Sequence, residues 1–323
     1  MTDDLSPCVS LVPLTAAMPE RRPLDADVLI ARWQEGRSPH TVRAYGRDLA
    51  HFAKWAGSET PGVAMTQILT GTMGAANERL HAYRGAMLDA GLAPATVNRR
   101  LSALRSIVRL GRTFDLISWS LEIDGVKGKA FRDTAGPGVD GVTAVKRQAA
   151  KHASPAKAAR DVAIVRVLFD LALRRGEVTG LDLAHFDARA GRLSVLGKGR
   201  RDHEWRTLPP RTLAALNTWL KHRGKKPGPL FINFHHANKG LDRLEGNGIY
   251  YVVRSLADKA EIRARPHGVR HTSITTGLDR TRDPRKVRQH ARHASMDTTM
   301  LYDDARADFA GEVAAIVSEA LEE

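Results

Sequence analysis

The chain has 323 residues, 42% hydrophobic and 27% charged, with a mean hydropathy of −0.33, values that exclude a disordered chain and suit two globular domains. Fifty Lys and Arg against 36 Asp and Glu give a net charge of +14, which points to a polyanionic partner. There is no apolar run of membrane-spanning length and no basic-then-apolar leader, so a cytoplasmic protein with no membrane partner is expected. One cysteine, Cys8, excludes an internal disulfide and a cysteine-rich zinc site.

Residues 1–22 read as a flexible tail of scattered Pro and Ser, and helical patterning begins near Leu24. Ser38-Pro39 has the form of an N-cap followed by a first-turn proline. Val42, Tyr45, Leu49, Phe52 and Trp55 then recur at helical spacing until Gly57. A further helix carries Leu80, Tyr83 and Met87 and stops at Gly91. The next begins near Thr96, with Val97, Leu101, Leu104 and Val108 on its apolar face. Its other face carries Arg99, Arg100, Arg105 and Arg109, a basic stripe that reads either as a solvated polar face or as a surface laid against phosphates. Residues 23–115 thus read as a helical DNA-binding domain. Residues 116–141, rich in Gly and poor in periodicity, read as a linker.

From 142 the pattern is mixed. A helix is expected over about Ala156–Arg175 and another leading up to Trp219. Between them Leu193–Leu196 and Glu204–Leu208 are expected to be strands joined by the turn Gly197-Lys198-Gly199-Arg200-Arg201. Helices dominate again from Gly248. Tyr45 and Tyr83 read as core positions, as do Tyr250 and Tyr251, and His235-His236 as loop residues. The fold class is mostly α with a small antiparallel β-sheet. The last segment, 305–323, reads as an amphipathic helix with Phe309, Val313, Ile316, Val317 and Ala320 on one face. From Asp303 onward seven acidic residues stand against Arg306 alone, so this end should pack on protein rather than phosphate.

Four pieces of the second half carry chemistry: Ala172-Leu173-Arg174-Arg175-Gly176-Glu177, the Gly197-Lys198-Gly199 turn, His267-Gly268-Val269-Arg270-His271, and Ala291-Arg292-His293 followed nine positions later by Tyr302. In this order and spacing they resemble the tyrosine recombinase (phage integrase) family. Over about residues 25–317 the chain is similar to its simpler two-domain members, a helical core-binding domain followed by a mainly helical catalytic domain, here 142–304. In the first half, Ser38-Pro39-His40-Thr41 and Thr96-Val97-Asn98-Arg99-Arg100-Leu101 resemble the opening and a later DNA-facing helix of the core-binding domain. Only about 22 residues precede the first helix, so no additional arm-binding domain is expected.

The resemblance implies a site-specific recombinase. Tyr302 would attack a DNA phosphodiester and form a 3′-phosphotyrosine bond, which stores the bond energy, so neither metal nor ATP is needed. Arg174 and Arg270 would fork onto the phosphate oxygens, whose charge grows in the transition state. A phenol has a pKa of about 10, so Tyr302 needs a base, and His267 is the candidate. Lys198 would protonate the leaving 5′-oxygen, His293 would hydrogen-bond the phosphate, and Glu177 would orient Arg174. His267 and His271 sit at the spacing of a zinc pair but lack a third ligand, so no metal is expected. The partner is double-stranded DNA with specific recombination sites. The assembly is a homotetramer on paired sites, a monomer or weak oligomer without DNA, with strand exchange through a Holliday junction and segment 305–323 docked on a neighbouring subunit. Two alternatives remain at this point: type IB topoisomerase-like relaxation, and a DNA-binding protein on a recombinase scaffold.

The chain departs from the family pattern at Ala172, where glycine is usual, at Val269 in place of leucine, and at Ala291-Arg292 in place of Leu-Gly. Arg292 adds a charge near the site and is expected to touch phosphate or a neighbouring subunit.

Overall fold

The computed structural model describes residues 25–127, 136–197, 202–234 and 242–303, together with 311, 314 and 317–319. The chain divides into two compact units, Met1–Phe131 and Arg132–Glu323.

The first unit holds five helices among the described residues: α1 (Ala26–Gln34), α2 (Pro39–Trp55), α3 (Pro61–Leu69), α4 (Met73–Asp89) and α5 (Pro94–Thr113). Local sequence sets their starts. Asp25, Ser38, Thr60 and Thr72 each accept a hydrogen bond from an otherwise orphaned first-turn N–H, and proline occupies the first turn of α2, α3 and α5. Each such cap is worth about 1 kcal/mol. The apolar faces meet in a core that includes Leu80, Tyr83, Val97, Leu101 and Ile107, and Trp33 Nε1 donates to Ser106 Oγ at 2.9 Å. Helix α3 was not expected. At nine residues it is too short to display a period, and it buries Ala64, Met65, Ile68 and Leu69.

The expected linker starts later than its composition suggests. Ile117 and Ile123 are buried in the first unit, with Leu116, Trp119, Leu121 and Val126 packed against the same core. The Asn98 side-chain amide holds this extended segment, donating to Val126 O at 3.0 Å and accepting from Val126 N at 2.7 Å. An extended segment pinned by side-chain amides carries no helical period, so it reads as linker in the sequence. Residues 1–24, which include the expected tail, and residues 128–135 of the expected linker lie outside the described residues.

The second unit runs α6 (Gly138–Ala150), α7 (Pro155–Asp170), α8 (Arg175–Thr179), β1 (Phe186–Asp187), β2 (Arg192–Leu196), β3 (His203–Thr207), α9 (Pro210–Arg223), α10 (Gly246–Lys259), α11 (Pro266–Thr281), α12 (Pro284–Ala291) and α13 (Met296–Asp303). The sheet is antiparallel in the order β1-β2-β3, with Phe186 opposite Leu193 and Ser194 opposite Trp205. Leu193 and Val195 point into the core beside Leu168, Leu216 and Trp219, whose Nε1 donates to Leu230 O at 2.8 Å.

Two expectations change here. The helix expected over Ala156–Arg175 is two helices: α7 stops at Asp170, Ala172 turns left-handed at φ +48°, and Arg174 becomes the N-cap of α8. Tyr251 is 67% exposed and Tyr250 half-buried, not core. Helix α10 buries Ile249, Val253, Leu256 and Ala257, and the two tyrosines follow Ile249 by one and two residues, about 100° and 200° around the helix. Among the described residues no helix is long and apolar enough to cross a membrane.

Candidate active site

Five short pieces of the second unit converge. The turn after α7 brings Arg174, and α8 brings Glu177. Helix α11, opened by Pro266, carries His267, Arg270 and His271. The end of α12 carries Arg292 and His293, and α13 carries Tyr302.

Tyr302 is 6% exposed. Its ring lies 4.9 Å from that of His271 and 5.6 Å from that of His293, nearly parallel to the latter at 22°. Ala172, Ile274, Leu278, Val287 and Ala291 form the apolar bed on which it rests. His267, exposed in the first turn of α11, packs edge-on against buried His271 with ring centroids 4.1 Å apart. The order is therefore His267, His271, Tyr302, His293. Sequence reasoning singled out His267 and His293 and passed over His271 as a site residue. The signal was its place one helical turn after His267.

His293 Nδ1 pairs with the hydroxyl of Thr299 at 2.9 Å. Burial, and next the charge of Arg270, pull the His293 imidazole down to about 4, so it is neutral at pH 7.

Around these rings stand three arginines and one carboxylate. Arg270 is 1% exposed. Its Nη1 bonds the carbonyl of Ala172 and its Nη2 that of Ala291 at 2.6 Å, tying the turn after α7 to the end of α12. Burial, and then the neighbouring Arg174, lower its pKa to about 10, which leaves it charged at neutral pH. The Arg174 side chain is more open, at 32% exposure. Glu177 accepts from the Arg174 backbone N–H at 2.7 Å and from Arg174 Nη1 at 2.8 Å. Its second partner is Arg292, with Nη2 2.5 Å from Glu177 Oε2. Burial alone would raise the Glu177 carboxyl, but Arg292 and the two Arg174 hydrogen bonds outweigh it and hold the pKa below its ordinary value. Arg292 thus corrects its expectation: it is 8% exposed and turned inward onto Glu177, because the carboxylate there compensates its charge.

Two of the departures from the family pattern, Ala172 and Arg292, stand where glycine is usual, and both lie on left-handed backbone. Ala172 has φ +48° and Arg292 φ +54°, both left-handed, where glycine costs least. At the end of α12 the N–H of His293 returns to Arg288 O at 3.1 Å, the helix-ending geometry in which the left-handed position usually belongs to glycine.

Lys198 and the rest of the turn 198–201 lie outside the described residues, as do His235-His236 and most of the 305–323 segment. Of that segment's apolar face, Val317 is described and is 58% exposed. Among the described residues no group of three His, Cys, Asp or Glu side chains is placed to hold a metal ion.

The basic stripe of α5 belongs to the first unit and is unevenly available. Arg99 binds Asp48 through two hydrogen bonds, 2.9 and 2.8 Å, with its side chain 48% exposed. Arg100, 15% exposed, stands 3.6 Å from the same carboxylate. Arg105 is partly buried, and Arg109 is exposed.

Residues 144–308 match the phage integrase family, and residues 31–110 match the phage integrase N-terminal SAM-like domain. A tyrosine recombinase of Synechocystis sp. is 35% identical over 307 residues, covering 92% of this chain and 96% of that protein. The tyrosine recombinase XerC of Pelobacter propionicus is 30% identical over 274 residues, covering 82% and 84%. Among solved structures, the XerH site-specific recombinase bound to a palindromic difH substrate shares the fold with a TM-score of 0.65 at 17% identity over 91% of this chain and 84% of that one. A lambda integrase dimer bound to a core site does so with a TM-score of 0.64 at 13% identity over 88% and 79%. These relatives support recombination and give no support to either alternative function. The chain belongs to the tyrosine recombinase (phage integrase) family, enzymes that cleave and rejoin DNA strands.

Proposed function

We propose that the chain is a site-specific recombinase whose nucleophile is Tyr302. The Tyr302 oxygen attacks the scissile phosphorus and displaces the 5′-oxygen of the next nucleotide, leaving a 3′-phosphotyrosine and a free 5′-hydroxyl. His267 accepts the tyrosine proton, and Lys198 supplies one to the departing oxygen. Attack by that 5′-hydroxyl, or by one from a second duplex, reverses the step and releases Tyr302.

The observation that carries this reading is the seat of Tyr302, its ring set between His271 and His293 beside the Arg174–Glu177–Arg292 cluster and Arg270. Charge accumulates on the non-bridging oxygens in the transition state. Arg174 meets it from the open side and Arg270 from the floor, an arrangement worth on the order of 10² to 10³ in rate per donor. His293, neutral and held by Thr299 through Nδ1, offers its other ring nitrogen to the phosphate.

The DNA partner is supported by the +14 charge and by the DNA-bound recombinases that share the fold. We further propose a homotetramer on paired sites, strand exchange through a Holliday junction, and work in the cytoplasm on nucleoid DNA. The acidic 305–323 segment docks on a neighbouring subunit, where its charge meets a basic surface.

Covalent capture tests the reading. The protein and a Tyr302→Phe variant are expressed with total host DNA, denatured, and the attached DNA is sequenced. Attachment at a few discrete sites, absent from the variant, is expected. Equal attachment in both proteins removes Tyr302 as the nucleophile, and attachment scattered without sequence preference turns the reading towards relaxation.

A further inference from the structure

Resting on the proposed function, we infer that Arg292 is a positioning residue for strand cleavage: by holding Glu177 it fixes the carboxylate that aims the Arg174 guanidinium at the scissile phosphate.

Glu177 has two carboxylate oxygens and two cationic neighbours. Oε1 takes Arg174 Nη1, and Oε2 takes both the Arg174 backbone N–H and Arg292 Nη2. The Arg292 side chain is 3% exposed and its Nη2 is ion-paired to Glu177, so its charge is answered within the protein. It is anchored by a second bond, Nη1 to Leu171 O at 3.3 Å, in the turn that leads into Arg174. Its own carbonyl accepts from Arg174 Nη2 at 3.5 Å. Arg174 is therefore held from two directions by one residue, through Glu177 and through the Arg292 backbone.

The arrangement has a cost and a return. A non-glycine residue at φ +54° forgoes the ease of glycine, and a buried guanidinium must be desolvated. In exchange, Glu177 cannot swing away from Arg174. With Gly at 292 the carboxylate would keep Arg174 as its side-chain partner and lose its other cation. Arg174 is an open side chain whose rotamers must be confined to one setting before it can stabilise a transition state. Arg292 supplies that confinement, a role the family's usual glycine cannot perform.

The test is single-turnover cleavage of a nicked duplex carrying a site recovered by covalent capture. It uses the full-length protein with Arg292→Gly and Arg292→Lys, and duplexes with either a normal phosphodiester or a methylphosphonate at the scissile position. Glycine suits the left-handed backbone, so the fold should survive, and a melting curve checks this. Arg292→Gly is expected to cleave the phosphodiester about 100-fold more slowly with DNA affinity unchanged. The deficit should shrink on the methylphosphonate, whose missing charge asks less of Arg174. Arg292→Lys, which keeps a cation beside Glu177, should recover part of the rate. An Arg292→Gly variant that cleaves like the wild type, or loses the same factor on both duplexes, overturns the inference while the proposed function stands. A wild-type chain that forms no Tyr302 adduct removes the proposed function and this inference together.

Discussion

Glu177 binds Arg174 at both ends of the residue, accepting from its backbone N–H at 2.7 Å and from its guanidinium at 2.8 Å. One carboxylate thereby caps α8 and sets the direction of the arginine that caps it. Replacing it by Gln keeps the shape and removes the charge, leaving the buried Arg292 uncompensated. Breaking such a pair costs about 3 to 5 kcal/mol. Glu177→Gln should therefore lower the melting temperature by several degrees and slow cleavage, while Glu177→Asp, one methylene shorter, should lose rate with a smaller loss of stability. Differential scanning calorimetry and a cleavage assay on the same preparations check this, and a Gln variant as stable and as fast as the wild type would refute it.

Much of this was legible in the sequence, and the reasons differ by element. Ser38-Pro39 announced α2 because capping is local chemistry. The stripe from Val97 to Val108 announced α5 because its apolar face is long enough to show a period. Helix α3 and the segment after α5 were missed because nine residues and an extended stretch carry no such signal. The turn at Ala172 was hidden because alanine sits where a glycine would have marked the left-handed backbone. The pieces bearing Arg174, His267, Arg270, His293 and Tyr302 were found by the family resemblance that their order and spacing carry, and the fold brings these five together. What spacing could not supply was partnership. That Arg292 turns inward to Glu177, and that His271 rather than His267 lies 4.9 Å from the Tyr302 ring, depends on how α8, α11, α12 and α13 pack.

The two α11 histidines should separate under mutation. His267 is exposed in the first turn of α11, whereas His271 is buried at 3% exposure against Tyr302. His267→Gln is expected to lower the cleavage rate by about 10² to 10⁴ with little change in stability, the range for loss of a general base. His271→Ala removes a ring from the Tyr302 seat, so it should lower the melting temperature as well as the rate. The assignment of the base moves to His271 if His267→Gln cleaves normally.

On α5 the four arginines should not behave alike. Arg109 is exposed, while Arg99 and Arg100 share Asp48. A phosphate contact contributes about one unit to the slope of log affinity against log salt. Arg109→Gln should weaken DNA binding and reduce that slope by about one. Arg100→Gln should instead cost stability in the first unit, because it removes a cation from buried Asp48. A salt titration by fluorescence anisotropy, paired with thermal melts, distinguishes the two; an unchanged slope for Arg109→Gln takes that residue off the DNA.

Acid should loosen the second unit before the carboxylates titrate. His290 is held neutral by burial and then by Arg206, and His293 by burial and then by Arg270, each with its pKa lowered from 6.5 to about 4. The unfolded chain binds protons at both positions as pH falls below 6.5, and the folded chain resists until about 4. The unfolded state therefore takes up more protons across this window, and stability rises with pH there. It is fully present above about 6.5 and is lost progressively down to about 4. Glu177, with its lowered pKa, adds a loss that begins only below its ordinary value of 4.5. Melting curves between pH 7.5 and 4 should fall most steeply between about 6 and 4.5. His290→Gln, which can still face Ser273 Oγ where the imidazole now stands at 3.1 Å, should flatten that fall without altering the loss at lower pH. A variant whose melting temperature tracks the wild type at every pH would show that His290 is not among the groups that acid must charge.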